Sequence, residues 1–270
     1  MIYISDLDGT LLGDDEKLSQ FTIDTINKIY NKDIIFTIAT ARSLYSAKEY
    51  IKQLDLKYPC ILRNGTVIYD PIKKQFISKK TIDYELAMEL ISDLLAFNFN
   101  PIVHYSIDNN EFVDYRNMNN LGEKQYIQAR LKTLDKRLKE VKEYTYKKDC
   151  SFISISSIQK NNEKELSILK KKYRNRCLIH SYKDSYSNFS WLEINNVYAD
   201  KKTGCEFLLK YFNENQYIAF GDGLNDVAML KNAYEGYIPN NSHLYQHGYD
   251  FKLVDNNNDD GVAKFLNKLV

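Results

Sequence analysis

The fold is decided near the start of the chain by the stretch Tyr3-Ile4-Ser5-Asp6-Leu7-Asp8-Gly9-Thr10-Leu11-Leu12. A short apolar run that ends in two carboxylates and then breaks at glycine predicts a buried strand that delivers its acids to a loop. Side chains two apart on an extended chain point the same way, so Asp6 and Asp8 can face one site. Like charges at this distance are costly unless a cation or a proton intervenes. The alternative is an Asp-Gly hairpin turn with solvated carboxylates.

A second acidic stretch lies far downstream and reads Tyr217-Ile218-Ala219-Phe220-Gly221-Asp222-Gly223-Leu224-Asn225-Asp226. Again an apolar strand runs into glycine and aspartate, and a helix is predicted to start near Asn225. Ligands of open parallel sheets bind beyond the carboxyl ends of the strands, so acids at two such ends can converge. The second stretch alone is also compatible with a loop and a helix cap. The two stretches together predict a site for a divalent cation.

The bulk composition is that of a globular protein. The chain has 270 residues, 44% hydrophobic and 27% charged, which is enough for one large or two modest domains. A net charge of +1 gives no general attraction to nucleic acid or to acidic membranes. No apolar run approaches the roughly 20 residues that span a bilayer, and the N-terminus shows no signal-peptide pattern. We therefore expect a cytoplasmic protein with neither a nucleic-acid nor a membrane partner.

The order of predicted elements indicates an α/β core. Residues 19–30 carry apolar side chains at helical spacing, and residues 34–40 form a continuous apolar run that suits a strand buried on both faces. This β-α-β unit predicts a doubly wound, Rossmann-like parallel sheet. Residues 43–54 are the next predicted helix, and residues 67–78 read as a β-hairpin.

The pattern changes after the hairpin. Strands with alternating polar and apolar residues and a polar helix over residues 119–142 predict a separate α+β unit. The stretch Trp191-Leu192-Glu193-Ile194 is expected to return the chain to the parallel core. We therefore assign residues 1–80 and 189–270 to the core domain, and residues 81–188 to an inserted domain.

Four motifs in order along the chain resemble those of the haloacid dehalogenase superfamily phosphatases. They are Asp6-Leu7-Asp8-Gly9-Thr10, Thr40, Lys201 and Gly221-Asp222-Gly223-Leu224-Asn225-Asp226. The Asn225-Asp226 form and the long insert between Thr40 and Lys201 are similar to the Cof-like branch, subclass IIB, whose cap domain is of the C2 type. The resemblance covers essentially the whole chain, and its first and last motifs are the specific ones. It implies that residues 81–188 are an α+β cap that closes over an active site.

The resemblance also implies a reaction, the hydrolysis of a phosphate monoester through an aspartyl-phosphate. Asp6 would be the nucleophile and Asp8 the general acid and base. The implied cofactor is Mg²⁺, a hard cation that takes oxygen ligands. The implied metal ligands are Asp6, the backbone carbonyl of Asp8, and Asp222, with Asp226 close behind, directly or through water.

The phosphoryl group would be held by Thr40 and Lys201. A lysine beside clustered carboxylates offsets their repulsion and neutralises charge on the transferring group. Without this context, Lys201 would be interpreted as a surface lysine and Thr40 as a helix N-cap. Lys202 is the alternative to Lys201 as the lysine of the third motif. Further implied substrate-binding residues are Ala41, Arg42, Asn64, Asn225 and Asn240.

The expected partner is a small phosphorylated metabolite bound by a monomer or a homodimer. A sugar or polyol phosphate is the substrate class of the branch, and pyridoxal phosphate and flavin mononucleotide are competitors because many aromatic residues are available for stacking. Three alternatives remain at this stage. One is a phosphomutase of the same superfamily, and another is a non-catalytic protein that only binds phosphometabolites. The third is a dehalogenase, which Asp8 and the second acidic loop disfavour because they suit metal-bound phosphate and not an alkyl halide.

Overall fold

The protein consists of two compact units. The structure, a computed structural model, describes residues 1–107, 110–159, 162–183 and 189–270. One unit combines Met1–Lys79 with Ala199–Val270, and the other is Lys80–Tyr198. Among the described residues, none of the helices has both the length and the apolar character that crossing a bilayer requires.

The first segment of the chain builds a β-α-β unit and then a small antiparallel sheet. Ser19 and Ser43 cap its two helices by accepting hydrogen bonds from backbone N–H groups three residues on, which satisfies donors that a helix start leaves open. The predicted hairpin is present, since its two strands pair antiparallel. The elements are β1 (Ile2–Ser5), α1 (Gln20–Tyr30), β2 (Ile35–Ile38), α2 (Leu44–Gln53), β3 (Cys60–Leu62), β4 (Val67–Asp70) and β5 (Gln75–Lys79).

The middle segment forms an α+β unit around a six-stranded sheet. Its elements are α3 (Tyr84–Ala96), β6 (Ile102–Ile107), β7 (Asn110–Tyr115), α4 (Leu121–Lys132), β8 (Leu138–Glu140), β9 (Ser151–Gln159), α5 (Glu163–Tyr173), β10 (Cys177–Lys183) and β11 (Ser190–Asn196). The strand order is β10-β11-β9-β6-β7-β8, and the described pairs are antiparallel except for β7 with β8.

The polar helix expected over residues 119–142 is shorter than predicted. Helix α4 ends at Lys132, and residues 138–140 form strand β8. Leu134 adopts a left-handed conformation with φ 54°, which interrupts the helix. The buried Asp135 then accepts hydrogen bonds from Arg137 and Arg130 and fixes the turn into β8. The polar stretch 119–142 therefore contains a helix, a turn and a strand where the sequence predicted one helix.

Strand β11 lies in the six-stranded sheet, whereas Trp191–Ile194 was expected to return the chain to the parallel core. It pairs antiparallel with β9 and with β10. Leu192 and Ile194 are buried in the same apolar cluster as Phe152. An alternating strand with one face on the core is typical of an antiparallel sheet. The second boundary of the middle unit consequently follows Tyr198.

The last segment completes the parallel sheet. Its elements are α6 (Lys201–Phe212), β12 (Tyr217–Phe220), α7 (Val227–Asn232), β13 (Glu235–Pro239), α8 (His243–Gln246), β14 (Lys252–Val254) and α9 (Gly261–Asn267). The sheet has the order β14-β13-β12-β1-β2, and its neighbouring strands pair in parallel.

The chain winds in two directions from the middle of this sheet. It proceeds from β1 to β2 on one side and from β12 through β13 to β14 on the other. Because crossovers between parallel strands are right-handed almost without exception, this strand order puts α1 and α7 on opposite faces, the doubly wound arrangement that the sequence predicted. The switch point lies between β1 and β12, where Ser5 is aligned with Phe220. The residues that follow these two strands therefore emerge side by side.

Candidate active site

The first acidic residue is held by the end of strand β1. The backbone N–H of Asp6 donates to the carbonyl oxygen of Phe220 at 2.9 Å. Its side chain is buried, and Oδ1 accepts from the backbone N–H of Leu7 at 2.7 Å. Gly9 has φ 68°, and a Cβ there would lie 2.5 Å from Oδ2 of Asp222. Only glycine lets the loop after β1 approach the loop after β12 so closely.

Asp222 meets Asp6 at the switch point, as predicted. Asp6, Asp222 and Asp226 each offer one carboxylate oxygen, and these three atoms lie within 4.8 Å of one another. Two hydroxyl groups hold Asp222: Thr10 Oγ1 donates to its Oδ1 at 3.0 Å, and Ser242 Oγ donates to its backbone oxygen at 2.8 Å. The two acidic stretches of the sequence thus form one cluster.

Lys201 is the lysine that reaches this cluster. Its fully buried ammonium lies 2.9 Å from Asp6 Oδ1 and 2.6 Å from Asp226 Oδ1. The side chain of Asp200 caps α6 by accepting from the N–H of Thr203 at 2.7 Å, so the helix begins at Lys201. Lys202 instead pairs with Glu206 at the surface, at 3.0 Å. The structure therefore supports the Lys201 register.

Burial and mutual repulsion shift the protonation of the acids. Burial, followed by the charge of Asp226, raises the pKa of Asp6 well above its ordinary value. The same two causes raise the pKa of Asp222 to about 6. Burial alone would lower the pKa of Lys201, but the carboxylates of Asp226 and Asp6 outweigh it and raise that pKa. Lys201 therefore stays positively charged beside these acids. A bound metal cation would further favour the ionised form of Asp6 and Asp222.

Asp226 shapes the second loop. Its Oδ1 accepts from the Lys201 ammonium, and its Oδ2 accepts from the backbone N–H groups of Asp222 and Gly223 at 3.1 Å and 3.0 Å. Both oxygens are therefore engaged within the protein. This arrangement fits a residue that holds the loop and the lysine in place better than one that binds a metal ion directly.

Asp8 lies outside the cluster of three acids and pairs with Arg42. Its carboxylate accepts three hydrogen bonds from the guanidinium of Arg42, two of them from Nε, which lies 2.8 Å from Oδ2 and 3.2 Å from Oδ1. Arg42 also donates to Glu16 Oε2 at 2.8 Å. The hydrogen bond to Asp8 raises the pKa of Arg42 above its ordinary value. The guanidinium predicted to bind substrate is thus shared between two carboxylates, and the Asp8 side chain lies outside the acidic cluster.

The loop after β2 and the Asn64-Gly65 turn complete the site. Thr40 is fully buried, its Oγ1 accepts from the N–H of Arg42 at 3.1 Å, and its carbonyl oxygen accepts from the N–H of Asn64 at 3.0 Å. Asn225 Nδ2 donates to Asn64 Oδ1 at 3.1 Å. Ala41 is exposed at the end of the same loop. Three of the predicted residues, Thr40, Asn64 and Asn225, are thereby linked into one network.

Gly65 explains how this turn reaches the lysine. It has φ 92°, and a Cβ there would lie 2.0 Å from the carbonyl oxygen of Asp200. The turn therefore packs directly on the residue that caps the helix of Lys201. Asn64 was expected to bind substrate, and the structure adds a contact between its neighbour Gly65 and the start of α6.

Some site residues were not found from the sequence. Thr10 lies inside the first motif, which is the signal that could have identified it, and Ser242 was overlooked in favour of Asn240. Asn240 is exposed, and its backbone N–H donates to the carbonyl oxygen of Val254 at 3.0 Å. Ser242, two residues further on, is the one that contacts Asp222.

A parallel sheet with buried acids and a buried lysine at its switch point defines an α/β enzyme. Residues 3–266 match the family described as haloacid dehalogenase-like hydrolase, and the chain belongs to this family. It is 31% identical over 280 residues to a protein of Buchnera aphidicola subsp. Baizongia pistaciae named "Putative phosphatase", covering 100% of this chain and 98% of that protein.

Two further comparisons extend this result. The chain is 24% identical over 271 residues to the 5-amino-6-(5-phospho-D-ribitylamino)uracil phosphatase YitU of Bacillus subtilis (strain 168), covering 97% of this chain and 94% of that protein. It shares the fold of a solved HAD subclass IIB sugar phosphatase, with a TM-score of 0.72, 16% identity, and 99% and 98% of the two chains covered. The predicted family, the α/β fold with a cap domain and the enzyme class of phosphoric monoester hydrolases are confirmed.

Proposed function

We propose that the protein is a Mg²⁺-dependent phosphatase that hydrolyses small phosphorylated metabolites through an aspartyl-phosphate. One observation carries the proposal: the buried ammonium of Lys201 contacts Asp6 at the switch point, where Asp222 also converges. A fixed cation beside a buried carboxylate is suited to the transfer of an anionic phosphoryl group, because it neutralises charge that the transfer brings into the site.

The donor set fits Mg²⁺. Carboxylate oxygens of Asp6 and Asp222 lie within 4.8 Å of each other, and Mg²⁺ typically binds one or two carboxylates together with waters and a substrate phosphate. We assign Asp6, Asp222 and the backbone carbonyl of Asp8 as ligands. Asp226, whose oxygens are both engaged, would act through water. Bound Mg²⁺ would place positive charge beside the phosphoryl oxygens and would reduce the repulsion between the carboxylates.

In the first step, a carboxylate oxygen of Asp6 attacks phosphorus. Oδ1 accepts hydrogen bonds from Leu7 and Lys201, so we assign the attack to Oδ2. The bond from Asp6 to phosphorus forms while the bond from phosphorus to the ester oxygen breaks. Asp8 gives its carboxyl proton to the departing oxygen, and the alcohol leaves.

In the second step, water attacks the phosphorus of the aspartyl-phosphate. Asp8, now a carboxylate, takes the proton of that water, inorganic phosphate leaves, and the carboxylate of Asp6 is restored. Lys201 and Thr40 would hold phosphoryl oxygens in both steps. The carboxylate of Asp8 is half-exposed but paired with Arg42, so it would have to part from that guanidinium to exchange these protons.

A sugar or polyol phosphate is the substrate class we propose. The relative YitU is named for a phosphorylated ribitylamino compound, which is a polyol phosphate joined to a heterocycle, and the similarity extends over nearly the whole chain. We further propose that the unit Lys80–Tyr198 is the C2-type cap of the family and selects among such substrates.

The test is a panel of sugar, polyol, nucleotide and pyridoxal phosphates incubated with the purified protein and Mg²⁺, with free phosphate measured. We expect release from one or more polyol-type esters. Analysis of the sugar products by mass and by chromatography distinguishes hydrolysis from isomer formation. Isomers without free phosphate would assign a phosphomutase, and binding without turnover of any ester would contradict the proposed activity.

A further inference from the structure

The second unit contains a small polar pocket at one end of its six-stranded sheet. The pocket lies between the residues that precede β6 and those that follow β7, and its volume is about 220 Å³. This is below the roughly 300–1,000 Å³ of sites for drug-sized ligands, so the pocket suits a small metabolite. Its polar lining consists of one guanidinium and four carboxamides, those of Arg116, Asn98, Asn100, Asn117 and Asn119.

A buried glutamate behind this lining holds the wall of the pocket in place. Oε2 of Glu123, which is 2% exposed, accepts from Nδ2 of Asn100 at 3.0 Å and from the backbone N–H of Asn119 at 2.6 Å. Nδ2 of Asn100 also donates to the backbone oxygen of Asn117 at 2.6 Å. The side chain of Asn120 caps α4 by accepting from the N–H of Glu123 at 2.9 Å. The pocket is therefore preorganised on one side, as a binding site requires.

Asn100 leaves one polar atom available to a ligand. The residue is 8% exposed, and its amide nitrogen faces the two acceptors just described. Over the described ranges of the chain, no protein group donates a hydrogen bond to its Oδ1. An acceptor on a residue this deeply buried is costly without a donor, and the hydroxyl group of a ligand is a suitable one.

Arg116 places a positive charge in the same pocket. Its guanidinium carbon lies 6.0 Å from the centre of the Tyr144 ring, within reach of a cation–π attraction. The hydroxyl of Tyr144 in turn donates to the carbonyl oxygen of Pro101, which fixes the ring. No carboxylate of the described residues forms an ion pair with Arg116. A planar guanidinium with free N–H groups is suited to bind an oxyanion in bidentate fashion.

We propose that this pocket is a binding site for a small oxyanion that also carries a hydroxyl group, either a hydroxy carboxylate or a hydroxylated phosphate ester. Arg116 binds the anionic group, and the amide nitrogens of Asn98, Asn117 and Asn119 donate to its oxygens. The free Oδ1 of Asn100 accepts from the hydroxyl. The inference is independent of the proposed phosphatase function, because that reaction assigns no role to these residues.

The test is an NMR titration of the full-length protein carrying isotopically labelled asparagine, whose amide signals report on the pocket directly. D-glycerate and glycerol phosphate are the two anionic probes, and uncharged glycerol is the third. EDTA is present throughout, so that no divalent cation draws the anions to the acidic site. We expect saturable shifts of the Asn98, Asn117 and Asn119 signals with at least one anion and none with glycerol; the anion that binds more tightly identifies the preferred anionic group.

The variant Arg116→Gln tests the charge. We expect binding of the preferred anion to weaken about tenfold or more, because a charge-assisted hydrogen bond is lost. Arg174→Gln is the matched control, since Arg174 is exposed at the end of α5 in the same unit and does not line the pocket. It should bind as wild type does. Asn98→Ala, which alters only an exposed side chain of the pocket, should weaken binding by a smaller factor, and the spectrum of each variant shows whether it is folded.

Three results would overturn the proposal. One is the absence of saturable shifts at the pocket with both anions, and another is a folded Arg116→Gln variant that binds as tightly as wild type. The third is a set of shifts confined to Asn64 and Asn225, which would place the anion beside the acidic cluster instead. Since no turnover is measured, failure of this site and failure of the phosphatase function are separate outcomes.

Discussion

The ammonium of Lys201 lies 2.6 Å from Oδ1 of Asp226, and both side chains are fully buried. An ion pair without access to water is costly to form, but breaking it leaves an uncompensated charge in the interior. This pair therefore couples the stability of the core to the site, because the same ammonium contacts Asp6.

The Lys201→Met variant should lose both stability and turnover. It leaves Asp6 and Asp226 repelling each other, so we expect a loss of about 3 kcal/mol in the free energy of unfolding. Phosphate release should fall by at least about a hundredfold. Urea unfolding and a phosphate assay measure the two effects. Lys202→Met is the control, because its exposed pair with Glu206 should contribute less than about 1 kcal/mol; equal effects of the two substitutions would mean that Lys201 has no special role.

The Asp6→Asn variant should stay folded and lose turnover. Burial and the charge of Asp226 raise the pKa of Asp6, so a neutral amide of the same shape removes an unfavourable charge while Lys201 keeps Asp226 as its partner. The amide cannot act as the nucleophile. We expect a thermal midpoint close to that of wild type and no phosphate release above background. Turnover at the wild-type rate would exclude Asp6 as the nucleophile.

The Thr10→Val variant should raise the Mg²⁺ concentration needed for half-maximal activity. Thr10 orients Asp222 through a 3.0 Å hydrogen bond, and loss of such a supporting contact typically weakens metal binding about tenfold to a hundredfold. The measurement is a Mg²⁺ titration of phosphate release after treatment with EDTA, which should itself abolish activity.

Thr37→Val is the matched control for this substitution. Thr37 is also buried, and it donates to the carbonyl oxygen of Pro59 at 2.8 Å, away from the acidic loops. Its replacement should leave the Mg²⁺ midpoint unchanged. Identical midpoints for Thr10→Val and wild type, or activity that survives EDTA, would contradict the assignment of Asp222 as a metal ligand.

The convergence of Asp6 and Asp222 was predictable because it follows from topology. Both residues come after apolar strands, and parallel strands carry such residues to one edge of the sheet. Which of Lys201 and Lys202 enters the site could not be predicted from the sequence. It depends on where α6 begins, and the cap at Asp200 determines that start. Neighbouring residues on a helix point in different directions, so a shift of one position exchanges a buried lysine for a surface one.

The contact between Asp8 and Arg42 was also beyond sequence reasoning. Both residues were predicted to lie at the site, but the direction of two long side chains depends on neighbours such as Glu16 that come from another turn. Strand β11 was assigned to the wrong sheet for a related reason. Alternation of polar and apolar residues predicts a strand with one buried face, and it does not identify which sheet the strand joins.

The buried carboxylate of Asp135 should make the second unit sensitive to acid. Burial raises the pKa of Asp135, but hydrogen bonds and charge from Arg137 outweigh it, so that the pKa lies below its ordinary value. A folded-state pKa below the unfolded value of about 3.9 means that the stabilisation is present above that pH and is lost as the pH falls through the folded-state pKa.

The Asp135→Asn variant tests this contribution. We expect it to lower the free energy of unfolding by about 2 kcal/mol at pH 7, since several charge-assisted hydrogen bonds are weakened. The difference from wild type should shrink as the pH falls below about 4, where the carboxylate of the unfolded wild-type chain takes up its proton. Urea unfolding at neutral and acid pH measures both values. Asp255→Asn, which removes an exposed pair with Lys264, is the control and should change little at either pH. A difference of the same size for Asp135→Asn at pH 7 and in acid would show that shape, and not ionisation, sets the contribution of this residue.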